Sequence, residues 1–204
     1  MPTLLGSVAS EQKTAIFQEE ITMQTAHEFF LHGLSDIMDG EKQLVEALGK
    51  NAESTSNPQL KKAFEQHKAQ TEKQVERLQQ VFESLGEEPE SDVECKGIKG
   101  LVEEGEEFKS EDPSPDIADI EAAVGASKIE RYEIAEYEAL IRLARMMKHT
   151  EATRLLQQNL KEEQETLRKI EALGKKLRPE DMGMEEMEEE ESRGARKKGG
   201  RRAA

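Results

Sequence analysis

The sequence predicts an all-α protein built on a four-helix bundle, and three observations predict it. The 204 residues combine 35% apolar with 36% charged side chains and contain no Trp. That composition is thin for a two-sheet core but suits long helices that bury one stripe and solvate the rest. Apolar residues recur at three- and four-residue steps along four long segments, the period of an amphipathic helix. Capping residues stand where those segments begin and end, which separates helices from a continuous apolar pattern.

Taken in order, residues 1–24 show no sustained period and are expected to form a loosely ordered leader. Thr25 and Glu28 then have the spacing of a capping box, which satisfies two backbone N–H groups at a helix start. Phe30, Leu34, Ile37, Leu44 and Leu48 continue the stripe to about Lys50. Residues 54–57 interrupt it, and Asn57-Pro58 restarts it as N-cap and first helical residue. Leu60, Phe64, Val75, Leu78 and Phe82 form the second stripe, which Gly86 ends. So short a turn between two helices predicts an antiparallel hairpin.

Residues 87–115 are punctuated by Pro89, Gly97, Gly100, Gly105, Pro113 and Pro115, with a short helix expected near 101–108. A connection this long is uncommon inside a compact domain unless it crosses something. About 30 residues can run the roughly 40 Å length of a long helix, and ferritin-like bundles have one such crossover in this place. Ser114-Pro115-Asp116 opens the third long helix, whose stripe holds Ile120, Ala123, Ile134, Tyr137, Ile141 and Ala144. His149-Thr150 marks a turn with Thr150 as N-cap, and Leu156, Leu160, Leu167 and Ile170 follow to a stop at Gly174. The expected fold is therefore a ferritin-like four-helix bundle over residues 25–174, two antiparallel hairpins joined by a long crossover containing a short helix. Residues 175–204 are expected to be a disordered tail, acidic over 180–191 and then basic through Arg193, Arg196, Lys197, Lys198, Arg201 and Arg202.

Charge narrows the function. A formal net charge of -15 repels polyanions at long range, which argues against a general nucleic-acid binder and disfavours adhesion to anionic lipid. Weak DNA contact through the basic tail is the nucleic-acid role left open. The single cysteine, Cys95, stands between charged neighbours and permits no internal disulfide framework, so it reads as an incidental thiol. The N-terminus lacks the basic and apolar regions of a secretory signal. No apolar run approaches the about 20 residues that span a bilayer, and the cytoplasm is the expected compartment.

What interrupts the stripes carries the chemistry. Glu41 falls on the stripe of the first helix, His67 on the second, Glu130 on the third and Glu163 on the fourth. Each lies near the middle of its helix, so at about 1.5 Å per residue all four reach one level of the core. An isolated carboxylate in a dry core costs several kcal/mol, about enough that it protonates, pairs or binds a cation. Three carboxylates and an imidazole, with no Lys or Arg on the same stripes, favour a divalent cation of the iron or manganese kind. Glu133 shares a helix face with Glu130, Glu162 flanks Glu163, and Tyr137 is one turn beyond Glu133. The other reading stays open: each carboxylate could reach solvent at the flank of its helix. His27, His32 and His149 read as surface residues, and the Met residues sit in the tail and at helix ends, which disfavours a Met-rich copper or heme site.

The stretches FFLHGLSDIMDGEKQLVEAL (29–48), LKKAFEQHKAQTEKQVERLQQVFESLG (60–86), CKGIKGLVEEGEE (95–107), IEAAVGASKIERYEIAEYEAL (120–140) and ATRLLQQNLKEEQETLRKI (152–170) resemble the bacterial ferritin-like stress-induced proteins of the YciE/YciF type. The resemblance covers residues 25–173 and leaves both tails outside. It implies a homodimer and a di-metal centre, iron or manganese, with Glu41, His67, Glu130, Glu133 and Glu163 at the matching positions. The chain departs from the family's pattern at Gln70, where a Glu is common, and at Arg131, where a His is common. Both changes weaken a divalent site, so the resemblance leaves two ions, one or none. Two functions are carried forward: a metal-binding stress protein that oxidises Fe(II) or turns over peroxide, or a non-catalytic dimeric bundle acting by binding or structural protection. Whether the chain is an enzyme stays open.

Overall fold

The capping box at Thr25 forms as expected: Glu28 N donates to Thr25 Oγ1 at 3.1 Å and Thr25 N donates to Glu28 Oε2 at 2.8 Å. It opens α1 (Ala26–Ser54), followed by α2 (Pro58–Leu85), α3 (Lys96–Ser110), α4 (Pro115–Met146) and α5 (Thr150–Gly174). The structure, a computed structural model, describes residues 24–179. The expected leader, apart from Gln24, and the expected acidic-then-basic tail beyond residue 179 lie outside the described residues. No helix among the described residues is long and apolar enough to cross a membrane.

Asn57 caps α2, accepting from Gln59 N at 2.9 Å and Leu60 N at 3.1 Å, with Pro58 at the first helical position. Gly86 ends it in the left-handed region at φ 73, where a side chain would crowd the backbone. α1 runs one turn past Lys50. The turn that follows is held by buried Asp119 of α4, whose carboxylate accepts from Ser56 N at 3.0 Å and Asn57 N at 2.7 Å. His149, not Thr150, occupies the N-cap of α5, and its ring stacks on Phe30 with centroids 5.9 Å apart.

The four long helices close a ring: α1 packs on α2, α2 on α5, α5 on α4, and α4 on α1. This is the expected ferritin-like four-helix bundle, with α3 lying across α4 and α1. The crossover helix starts a turn and more earlier than glycine punctuation suggests, because Gly97 serves close packing rather than a turn. A Cβ at Gly97 would stand 2.6 Å from the Tyr132 ring, and one at Gly40 would stand 3.0 Å from Ile98 Cγ1. Asp39 Oδ2 accepts from Cys95 N at 2.8 Å and so anchors the α3 start to α1. Cys95 is fully buried, 3.7 Å from Tyr132 Oη, and burial pushes its thiol up to about 11.

Two apolar clusters fill the bundle, one at each end. Phe30, Leu34, Leu78, Phe82, Tyr137 and Leu156 belong to the first; Leu44, Leu60, Phe64, Ile98 and Ile170 belong to the second. Along every long helix the residues between the two clusters that point inward are polar. That polar layer is the candidate site.

Candidate metal centre

Four helices each deliver an acidic or imidazole group to this layer, and heptad-like steps place them there. Glu41 follows Ile37 and precedes Leu44 on the α1 stripe, all six expected α1 positions being buried. His67 continues the α2 stripe from Leu60 and Phe64. On α4 the inward residues are Asp119, Ala123, Ala126, Glu130, Glu133, Tyr137, Leu140, Ile141 and Ala144. The expected α4 stripe is thus correct at 123, 130, 137, 141 and 144, but Ile120, Ser127 and Ile134 are half-buried beside it. Counting apolar residues draws the stripe toward Ile134, whereas at this level the inward residue is Glu133. On α5 Leu160 and Leu167 likewise flank the core, while Asn159, Glu163 and Thr166 face it.

Glu41, His67, Glu130, Glu133 and Glu163 are all at least 96% buried, so none reaches solvent at a helix flank. One ligand atom each from His67, Glu130 and Glu163 lie within 4.8 Å of one another. His67 Nδ1 is 3.2 Å from Glu130 Oε1 and His67 Nε2 is 3.5 Å from Glu163 Oε2. The first contact is close enough for an ion pair, but Nδ1 is not aligned as a hydrogen bond. Glu133 makes no hydrogen bond through either carboxylate oxygen.

Burial is the main reason the Glu41, Glu130 and Glu133 carboxyls are held well above the ordinary carboxylate range. Neighbouring carboxylates add to it: Glu163 acts on Glu41 and Glu130, and Glu41 with Glu163 on Glu133. Tyr137 is raised in turn by its own burial and by Glu41.

Two residues named from the sequence stand outside the fully buried cluster. Arg131 is 57% exposed, donates to Ser127 O at 2.9 Å and pairs with Glu171 at the surface, so it adds no cation to the cluster. Gln70 is half-buried on a groove that His67 and Thr166 also line, beside Gln66 and Lys169. His27 and His32 pair with Glu87 and Glu90 at the surface, as expected of surface residues.

Sequence reasoning missed the groups that brace the carboxylates. Gln74 Nε2 donates to Glu163 Oε1, and Asn159 Nδ2 donates to Tyr137 Oη at 2.9 Å. Arg77 grips Glu162 through two bonds of 3.0 and 2.9 Å and donates to Asn159 Oδ1. Their signal is positional, since Gln74 is seven residues after His67 and Asn159 four before Glu163. An apolar count passes over them because they are polar.

Residues 25–182 match the model of a family described as a domain of unknown function, DUF892. The chain belongs to the DUF892 family. The Escherichia coli (strain K12) member, protein YciF, is 38% identical over 146 residues, 72% of this chain and 88% of YciF. The solved structure of the E. coli stress protein YciF matches with a TM-score of 0.69, covering 74% of this chain and 96% of that one. YcfI, described as a proposed structural protein from Rhodopseudomonas palustris, matches with a TM-score of 0.71 at 38% identity, covering 76% of this chain and 97% of that one. A protein from Xanthomonas campestris pv. campestris, 20% identical with a TM-score of 0.60, shares the fold.

Proposed function

We propose that this DUF892 chain binds one or two divalent cations, iron or manganese, in the polar layer of its bundle. His67, Glu130 and Glu163 would be the nearest ligands, with Glu41 and Glu133 as the remaining carboxylates. The observation that carries this reading is an accounting of unpaired atoms. Among the described residues, eight buried side-chain oxygen and nitrogen atoms lack a hydrogen-bond partner: Glu41 Oε2, His67 Nδ1, Thr71 Oγ1, Gln74 Oε1, Glu130 Oε2, both Glu133 oxygens and Glu163 Oε2. All eight belong to this one layer. Buried polar groups are ordinarily paired, and a donor set of carboxylates with one imidazole fits a hard or borderline divalent ion.

Iron or manganese held there would supply one-electron redox chemistry suited to oxidising Fe(II) or turning over peroxide. The chain's own part is to bind and to orient. Gln74 fixes one oxygen of Glu163, Tyr137 fixes one oxygen of Glu41, and each leaves its other oxygen free to face the cluster. Such outer contacts typically decide about 10–100-fold in metal affinity.

A second reading rests on the raised Glu41, Glu130 and Glu133 carboxyls, which can stay neutral in a metal-free core. The chain would then act as a binding or structural protein. Metal content separates the two: protein purified without chelator and loaded anaerobically with Fe(II) or Mn(II) is measured by mass spectrometry beside Glu41→Ala/Glu130→Ala. Uptake that the double variant loses supports the metal centre. No uptake by a folded wild-type chain leaves the structural reading. The homodimer implied by the family resemblance is part of the proposal, and light scattering reads it.

A further inference from the structure

α3 does more than return the chain to the far end of the bundle. Between it, α1 and α4 lies a pocket of about 60 Å³ whose inner end is formed by His67 and Glu130. Leu44, Leu48, Leu101, Phe108 and Ile129 wall it, and the exposed pair Lys50–Glu106 stands where it meets solvent. Asn51, Lys109 and Glu121 also line it, and the pocket runs from the surface to one edge of the carboxylate cluster along walls that are mainly apolar.

Two glycines keep it open. Gly105 of α3 and Gly125 of α4 both line the pocket. Helix glycines often mark close approach of a neighbour, as Gly97 does. Here a Cβ at Gly105 would meet nothing within 4 Å, and one at Gly125 would approach only Glu121 Oε1, at 4.0 Å. Packing does not require these glycines, and each weakens its helix. What they leave behind is space. At the inner end, His67 Nδ1 and Glu130 Oε2 are buried and unpartnered.

We propose that this pocket is an antechamber that admits an uncharged, apolar molecule of dioxygen's size to the His67–Glu130 edge of the cluster. Size and polarity both select. A water needs about 10–15 Å³ of such space, and a dry apolar cavity of about 150 Å³ holds benzene, so about 60 Å³ suits a molecule of a few heavy atoms. An ion would have to shed its hydration along the apolar walls, which is costly. Peroxide would lose hydrogen bonds with water that these walls do not replace, whereas dioxygen has none to lose. The delivery role rests on the metal-centre reading above, while occupancy of the pocket does not.

The test uses metal-free, methyl-labelled full-length protein and measures nuclear relaxation under dissolved dioxygen against nitrogen. Methyls of the buried Leu44 and Leu48 should show several-fold more paramagnetic relaxation than those of Leu34, Leu78 and Leu156 in the other cluster. Gly125→Leu, and separately Gly105→Leu from the opposite wall, should abolish that excess while helicity and cooperative melting are kept. Equal relaxation in the two clusters, or an excess that survives both fillings, overturns the antechamber. If no excess appears yet the chain takes up Fe(II), the antechamber fails and the metal centre stands. An excess in a chain that takes up no metal overturns the delivery role together with the metal reading.

Discussion

Tyr137 donates its phenolic hydrogen to Glu41, and the direction of that bond is set from the protein surface. Arg77 can only donate, so the Asn159 oxygen it meets must accept, which turns the Asn159 amide N–H toward Tyr137. The phenol oxygen is thereby an acceptor, and its hydrogen is left for Glu41. Arg77 in turn is clamped by the two oxygens of Glu162. One ordered chain thus runs from a half-exposed carboxylate to a buried one.

Tyr137→Phe breaks that chain at its last link. Glu41 Oε1 loses its partner in a buried place and the Asn159 amide keeps only its 3.5 Å bond to Gln74 O, which should cost about 1–3 kcal/mol of stability. Metal affinity should fall about 10–100-fold through loss of Glu41 orientation. Urea melts of the metal-free protein and a competitive metal titration measure the two effects separately. An affinity equal to wild type would show that Glu41 is oriented without Tyr137.

The metal-free protein should become less stable as pH rises. Glu41, Glu130 and Glu133 are raised in the fold relative to the unfolded chain. A group of that kind contributes most below its unfolded pKa, and its contribution is lost as pH rises toward the folded one. Each unit of difference is worth about 1.4 kcal/mol per group. Denaturation midpoints of metal-free protein should fall from about pH 5 to about pH 8, and saturating Mn(II) should flatten or reverse the trend. A flat metal-free profile would contradict the raised carboxyls.

Glu133→Gln separates stability from binding. Both Glu133 oxygens are buried and unpartnered, so an amide of the same shape removes a group that resists ionisation. At about pH 8 the metal-free variant should be more stable than wild type by about 1–3 kcal/mol, and near pH 4.5 the difference should vanish. Metal should bind it more weakly, because a neutral oxygen replaces a carboxylate. Chemical melts at the two pH values, with and without metal, test both statements.

Arg131→His should leave metal content and affinity unchanged. The guanidinium is at the surface with Glu171, and an exposed pair is worth about 0–1 kcal/mol. A change in metal stoichiometry in this variant would show that Arg131 reaches the cluster in solution.

The set of helices and the level of the site were legible in the residues alone. Local chemistry is enough for that: Thr25 with Glu28, Asn57 with Pro58, and Gly86 each act on their own turn. Glu41, His67, Glu130 and Glu163 stood out because a charge on an apolar stripe is a local anomaly. The tertiary structure decided which neighbours those charges have. Glu133 rather than Ile134 faces inward because the rotation of α4 is fixed by packing against α1, α5 and α3 together, and no single helix's pattern contains that constraint. Arg131 turns outward for the same reason. Cys95 is buried because Gly40 lets the α3 start close on α1 across residues far apart in the chain. The bracing by Gln74, Asn159 and Arg77 depends on α2 meeting α5, and only the closed bundle brings those faces together.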